Sequence, residues 1–169
     1  MTQQEIMTRQ APLIEKYRYR PENATVVFSS QGELGENGTF RIQSGDLFKE
    51  AGLHPASGGS GIHLWPGDMF LESLASSAGV TLNSIAASLG LDLKRALITA
   101  EGELDFRGNL AMAEEAPVGF KTLKLKFEIT SDAAEGEINN LIRLTEKYCV
   151  IYQTMKKSPE IEVTLLLNT

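Results

Sequence analysis

Cysteine and histidine are scarce in this chain of 169 residues, which has one cysteine, Cys149, and two histidines, His54 and His63. A single cysteine excludes a disulfide within the chain. Three such residues are also too few for an ordinary structural zinc site, which uses four cysteine or histidine ligands. We therefore expect neither a bound metal nor a cofactor.

Basic charge and long apolar runs are also lacking. The net charge is −6 and the isoelectric point is near 5.0, whereas nucleic acids and anionic membranes attract proteins with clustered lysine and arginine. No run approaches the roughly 20 apolar residues that span a bilayer, and the polar start of the chain does not resemble a signal peptide. We expect no nucleic-acid or membrane partner, and a cytoplasmic location.

Familiar catalytic signatures are missing as well. The chain has no G-x-S-x-G motif around Ser77, no Walker loop, no Rossmann glycine triplet and no H-E-x-x-H motif. Ser77 could act as a hydrolase nucleophile only if His54 or His63 came within hydrogen-bond distance. His63 is better explained as a loop residue bonded to backbone, and Cys149 by default as a buried, inert thiol.

The most distinctive stretch runs from Pro66 to Gly90 and predicts one long, largely buried helix. Asp68 suits its first turn and Gly90 its end, and its apolar residues recur at spacings of three and four. Between Ser73 and Gly79 only Leu74 is large. This run indicates either tight packing against another backbone or room for a ligand, and hydroxyls there can bond back to the helix.

The remaining pattern predicts an α+β domain with two layers. Residues 1–22 form an N-terminal arm that includes a helix over 3–18, and residues 23–169 form one domain. We expect strands at 24–33 and 39–44 joined by a turn at 35–38, an irregular loop at 51–62, and antiparallel strands at 96–106 and 119–130. A helix capped by Ser131 or Asp132 and helical turns over 150–156 follow. A last strand at 160–167 should point four side chains inward: Ile161, Val163, Leu165 and Leu167.

Three stretches together resemble the OsmC/Ohr family of thiol-dependent proteins that reduce organic hydroperoxides. They are GLHPASGG (52–59), GDMFLESLASSAGVTL (67–82), and EKYCVIYQTM (146–155) followed by the closing strand. The resemblance implies an OsmC-like fold, in which antiparallel sheets wrap around long central helices in an intertwined homodimer. It also implies a role in defence against organic hydroperoxides, with an external dithiol as the reductant.

The same resemblance implies the candidate site residues and shows where this chain departs from the family. Ser77 stands at the position of the peroxide-attacking cysteine, and Cys149 at that of the resolving cysteine. Val150 replaces the proline that commonly follows the latter. Gly67 stands where the family keeps an acidic residue near the helix start, so that only Asp68 or Glu72 could substitute for it. His54 is a weaker candidate. Arg41 is a candidate for the N-terminal arginine of the family.

Four functions follow from this interpretation. The first is an OsmC-like redox protein that is inactive or impaired because serine cannot pass through sulfenic acid to a disulfide, and that would be a peroxiredoxin-like reductase with cysteine at position 77. The second is a non-catalytic module that binds a small apolar molecule beside Ser76, Ser77 and Gly79. Cys149 acting alone as a one-cysteine reductant or thiol sensor is a third, and hydrolysis through Ser77 is the last.

Overall fold

A computed structural model of the chain describes residues 2–167. It contains five α-helices in those residues: α1 (Gln3–Tyr19), α2 (Pro66–Leu89), α3 (Phe106–Asn109), α4 (Glu135–Tyr148) and α5 (Val150–Lys156). Five strands accompany them: β1 (Gln31–Leu34), β2 (Phe40–Ser44), β3 (Leu47–Ala51), β4 (Leu93–Leu104) and β5 (Phe120–Ser131). The mixture of helices and antiparallel sheets confirms the predicted α+β class. Among the described helices, none is long and apolar enough to cross a membrane.

The first sheet has three antiparallel strands in the order β1-β2-β3. The predicted turn between β1 and β2 is present, with positive φ angles of 53° at Asn37 and 77° at Gly38. The sheet differs from expectation at both ends. The first strand begins at Gln31 rather than at residue 24, and β3, which pairs with β2 from Ser44↔Leu47 to Phe40↔Ala51, was not predicted.

The second sheet is the predicted antiparallel pair of long strands. β4 and β5 pair from Leu93↔Ser131 to Leu104↔Phe120. Ile98, Phe127 and Ile129 pack from this sheet onto a buried cluster formed by Leu82, Ala86 and Leu141. The sheet and α4 therefore both pack on α2 around this cluster.

Helix α2 is the centre of the molecule, as the sequence predicts, but within one chain it is not largely buried, since Val80 is 72% and Phe70 37% exposed. Pro66 occupies its first turn, and Gly90 ends it with a φ of 70°, a left-handed conformation that glycine adopts without strain. Four residues at spacings of four are buried along one side: Leu74, Ala78, Leu82 and Ala86. This stripe keeps the middle of the helix close to its neighbours.

The start of α4 corrects the predicted cap. The N-cap residue is Ala134, not Ser131 or Asp132. The Ser131 hydroxyl donates to the Asp92 carbonyl (2.6 Å) and accepts from the Ala133 N–H, so it is used at the end of β5. The Glu137 carboxylate accepts from the Ala134 N–H instead (3.0 Å).

The C-terminal segment also differs from the prediction. Residues 160–167 form no strand, and the four side chains expected to point inward are exposed by 76–88%. A strand needs an edge to pair with, and in the described part of the chain this segment pairs with neither sheet. The intertwined dimer stays a prediction.

Candidate functional site

Ser77 and Cys149 lie in contact although 72 positions separate them in the chain. The Ser77 Oγ and the Cys149 Sγ are 3.2 Å apart, within hydrogen-bond distance. Ser77 is partly buried on α2, whereas Cys149 is a free thiol with 1% of its surface exposed. The two positions that the resemblance pairs are therefore brought together within one chain.

Cys149 connects α4 to α5 and forms the joint between these two helices. Its N–H donates to the Thr145 carbonyl (2.9 Å) at the end of α4, and its own carbonyl accepts from the Gln153 N–H (2.9 Å) in α5. Its ψ of 111° breaks the helical path between them. Both sides of the Cys149 backbone are therefore bonded, and its buried side chain contacts Ser77 on α2.

Val150 is the first residue of α5, with Cys149 as the N-cap. Proline is favoured at this first position, since its missing N–H has no partner inside the helix. Residue 150 is therefore a position that either valine or proline can occupy at the start of α5.

The neighbouring serines behave differently from Ser77. The Ser73 hydroxyl donates to the Phe70 carbonyl (2.7 Å), and the Ser76 hydroxyl to the Ser73 carbonyl (3.2 Å). A serine inside a helix commonly donates to a backbone carbonyl of the preceding turn in this way. Ser77 faces the thiol instead, so it has a specific partner.

The two acidic candidates, Asp68 and Glu72, lie on other sides of α2. At about 100° per residue, Asp68 is about half a turn away from Ser77 around the helix, and about 13 Å along it. Glu72 is about 140° away. In the described residues neither carboxylate forms a hydrogen bond or an ion pair, so within one chain the structure does not bring them to Ser77.

His54 belongs to an aromatic cluster at the start of α2. Its Nδ1 accepts from the Ala56 N–H (3.0 Å), its ring stacks on Phe106 with centroids 4.9 Å apart, and it meets the Trp65 ring edge-on at 5.1 Å. The cluster continues through Phe120, which lies 5.9 Å from Trp65 and 5.6 Å from Phe70. The geometry of His54 is that of a structural loop residue.

The aromatic cluster explains the glycine at position 67. A Cβ at Gly67 would lie 2.1 Å from two carbons of the Trp65 ring, far inside van der Waals contact. No side chain fits there while the indole keeps its place. Sequence reasoning missed this cluster, because its members are spread from residue 54 to residue 120 without a common period.

The remaining candidates lie in the first sheet or close to it. The His63 Nδ1 is 3.8 Å from a carboxylate oxygen of Glu50 on β3. Arg41 on β2 faces Glu33 at 4.0 Å. In the described hydrogen bonds neither histidine reaches Ser77, so a serine hydrolase arrangement is not formed. Across residues 2–167, no group of three or more His, Cys, Asp or Glu side chains could hold a metal ion.

Asp105 is the acidic group whose pKa departs most clearly from its ordinary value. Hydrogen bonds from the Arg107 side chain and backbone lower the pKa of the partly buried Asp105 from 3.8 to about 2. Asp105 also caps α3, which begins with Phe106 of the aromatic cluster. The pair therefore lies next to Phe106 in the chain, at the start of α3.

Comparison with known proteins adds the family context. A family model described as OsmC-like protein matches residues 58–164, which is more than half of the chain. Comparison with curated proteins gives no match.

Several solved structures share the fold. An OsmC-like protein from Mycoplasma pneumoniae is 19% identical with a TM-score of 0.67, covering 79% of this chain and 89% of that one. An organic hydroperoxide resistance protein OsmC from Legionella pneumophila has 19% identity and a TM-score of 0.61, covering 79% and 93%. One from Elizabethkingia anophelis has 17% identity and a TM-score of 0.63, covering 79% and 92%. At these identities the structures show a shared fold.

Proposed function

The chain belongs to the OsmC-like protein family, and from this premise we propose that it is an OsmC-type redox protein whose peroxide chemistry is impaired by Ser77. The observation that carries the proposal is the 3.2 Å contact between the Ser77 Oγ and the Cys149 Sγ. It supports the view that these residues occupy the places of two cooperating thiols, one of which is now a hydroxyl.

The chemistry of a two-thiol site explains why serine is a decisive change. An attacking thiolate takes the terminal oxygen of a hydroperoxide, and the O–O bond breaks to release an alkoxide that is protonated to the alcohol. The resulting sulfenic acid is then attacked by the second thiol, which forms a disulfide and expels water. An external dithiol reduces that disulfide. A serine hydroxyl is a far weaker acid than a thiol and follows neither step.

Restoring the thiol tests this proposal. In the Ser77→Cys variant, we expect consumption of cumene hydroperoxide with dithiothreitol to exceed that of a matched Ser76→Cys variant by at least about tenfold, or about 1.4 kcal/mol of barrier. Ser76 is the control because its hydroxyl bonds back to its own helix rather than to the thiol. Equal rates in the two variants would contradict the proposal.

A homodimer is part of the proposal. Apolar side chains are exposed in two extended segments, where Val27 is 91%, Phe28 88%, Val163 88% and Leu166 83% exposed. Such a large apolar surface in two segments favours burial against another chain, and the family resemblance names a second copy as that chain. Sedimentation equilibrium should give about twice the monomer mass of 18.5 kDa, and a monomer at all concentrations would contradict it.

We place the protein in the cytoplasm, since a free, reduced Cys149 suits a compartment that maintains thiols. Cys149 is almost fully buried within its own chain. A thiol sensor must be accessible to its oxidant, so a role for Cys149 as a solitary sensor has little support.

A second candidate function is binding of a small apolar molecule without chemistry. An open surface depression of about 460 Å³ lies beside α1 and α2, and Val80, Ile85 and Tyr148 line it together with the polar Gln10, Thr81, Ser84 and Ser88. Ser76, Ser77 and Gly79, where the sequence predicts the pocket, are not part of its lining. Thr81 is one turn beyond Ser77, and Tyr148 precedes Cys149. A thermal-shift screen of lipids and hydroperoxides tests this, with stabilisation of the wild type but not of a Val80→Asp variant as the supporting result.

A further inference from the structure

An open pocket of about 390 Å³ lies between the turn that joins β1 to β2 and the glycine-rich loop before α2. The turn contributes residues 37–39 to its lining, and the loop contributes residues between 52 and 63. The volume is in the range of small-molecule sites. Neither Ser77 nor Cys149 lines this pocket, so it is a different part of the molecule from the candidate site described above.

His63 is the titratable side chain among the residues that line the pocket, and it faces a carboxylate on β3. The His63 Nδ1 lies 3.8 Å from Oε2 of Glu50. The other carboxylate oxygen lies 2.7 Å from the hydroxyl of the buried Thr39, which is also 2.8 Å from the Glu36 carbonyl. Because an acceptor faces Nδ1, we expect the neutral ring to carry its proton there. Nε2, which has no hydrogen-bond partner in the described residues, is then left as an acceptor.

The second histidine has the opposite arrangement. The His54 Nδ1 accepts a hydrogen bond from the Ala56 N–H (3.0 Å), so its neutral ring carries the proton on Nε2. The chain therefore contains an internal reference, because its two histidines are expected in different tautomers.

The rest of the lining combines backbone donors with apolar side chains. In the part of the chain that the structure describes, the N–H groups of Asn37, Gly38 and Ser60 have no acceptor. Leu53 and Ile62 are 57% and 81% exposed. No lysine, arginine, aspartate or glutamate belongs to the lining. A charged ligand would therefore lack a partner of opposite charge, and an anion would also be repelled by the carboxylate behind His63.

We propose that this pocket binds a small uncharged amide whose N–H donates to Nε2 of His63. The amide carbonyl accepts from a backbone N–H of the lining, and the apolar part of the molecule packs on Leu53 and Ile62. An amide suits the pocket because it carries a donor and an acceptor side by side without a charge. This inference does not depend on the chemistry proposed for Ser77 and Cys149.

Nitrogen-15 NMR of the imidazole rings tests the role of Glu50. At about pH 8, where histidine is ordinarily neutral, His63 should carry its proton on Nδ1 and His54 on Nε2. Glu50→Ala should move His63 away from its tautomer. Glu33→Ala is the matched control, because the Glu33 carboxylate faces Arg41 instead. The same tautomer in both histidines of the wild type would overturn the assignment of Nε2 as the acceptor.

Three probes of similar size test the ligand class: benzamide, benzoate and benzylamine. Their dissociation constants are measured from the chemical-shift changes of His63 and of the loop amides. We expect benzamide to bind at least about tenfold more tightly than benzoate, which lacks a donor and carries a negative charge. Benzoate or benzylamine binding as tightly as benzamide would overturn the uncharged class.

Two variants test the location of the site. His63→Phe keeps a ring but removes the acceptor, and Ile62→Ala removes an apolar contact; each should weaken benzamide binding several-fold. Ile161→Ala is the matched control, because Ile161 is equally exposed at 81% and lies outside the lining. Circular dichroism verifies that each variant keeps its helices. Equal affinity in all of these variants, or no shift with benzamide at its solubility limit, would overturn the proposal and leave the Ser77→Cys test unaffected.

Discussion

The indole ring of Trp65 occupies the space that a side chain at position 67 would need, with ring carbons 2.1 Å from where a Cβ on Gly67 would lie. Two positions that are close in sequence are therefore coupled through packing. An acidic side chain introduced at position 67 must displace Trp65 from the aromatic cluster.

Gly67→Ala should destabilise the fold by about 1–3 kcal/mol, because the added methyl forces the indole out of its packed position. The free energy of unfolding by urea measures this. Gly136→Ala is the matched control, since a Cβ there meets nothing within 4 Å, and its helical site should favour alanine.

The contradicting result is a Gly67→Ala variant as stable as wild type. In a Trp65→Leu background the cost of Gly67→Ala should shrink, because the overlapping ring is gone. An unchanged cost there would place the strain elsewhere.

Leu82→Ala should cost about 2–5 kcal/mol of unfolding free energy, since Leu82 is 1% exposed and lies in the cluster with Ala86 and Leu141. Ile62→Ala serves as the control because Ile62 is 81% exposed in the loop before α2. Equal stability losses in the two variants would show that α2 is not the centre of the core.

Val150→Pro should change the free energy of unfolding by less than about 1 kcal/mol, because residue 150 is the first position of α5, where proline is compatible with a helix. Thr154→Pro, inside the same helix, should cost about 3 kcal/mol. A large loss from Val150→Pro would mean that the joint around Cys149 differs from the one described.

Asp105 should give stability that depends on pH. Its pKa is lowered to about 2 by Arg107 from an ordinary value of 3.8, so the folded state favours the ionised form. The contribution is present above pH 4 and is lost as the pH falls toward 2. Thermal unfolding of wild type and Asp105→Asn should therefore differ most near neutral pH and converge near pH 2, whereas a constant difference would indicate a cap effect alone.

The elements that the sequence predicted well are those whose signals are local. The ends of α2 follow from Pro66 and Gly90, and the alternation in β4 and β5 follows from one sheet face packing on α2. Ser77 and Cys149 were paired through the family resemblance, because spacing alone does not place residues 72 positions apart in contact.

The errors arose where structure depends on distant partners. Residues 160–167 have the alternation of a strand, but a strand also needs a partner, and in the described residues this segment pairs with neither sheet. The Ser131 hydroxyl fits a helix cap equally well until the Asp92 carbonyl is placed beside it. The aromatic cluster depends on contacts among four separate segments, and no local sequence pattern predicts it.

The central claim is that positions 77 and 149 are a thiol pair with one thiol replaced, and disulfide formation in Ser77→Cys tests it most directly. After stoichiometric hydroperoxide treatment, thiol titration of the denatured protein should find almost no free thiol in Ser77→Cys and two in Ser76→Cys, with mass spectrometry linking residues 77 and 149 in the former. The 3.2 Å contact leaves about 1 Å for the sulfurs to close to bonding distance. Two free thiols in Ser77→Cys, or a link only between chains through Cys149, would contradict the account.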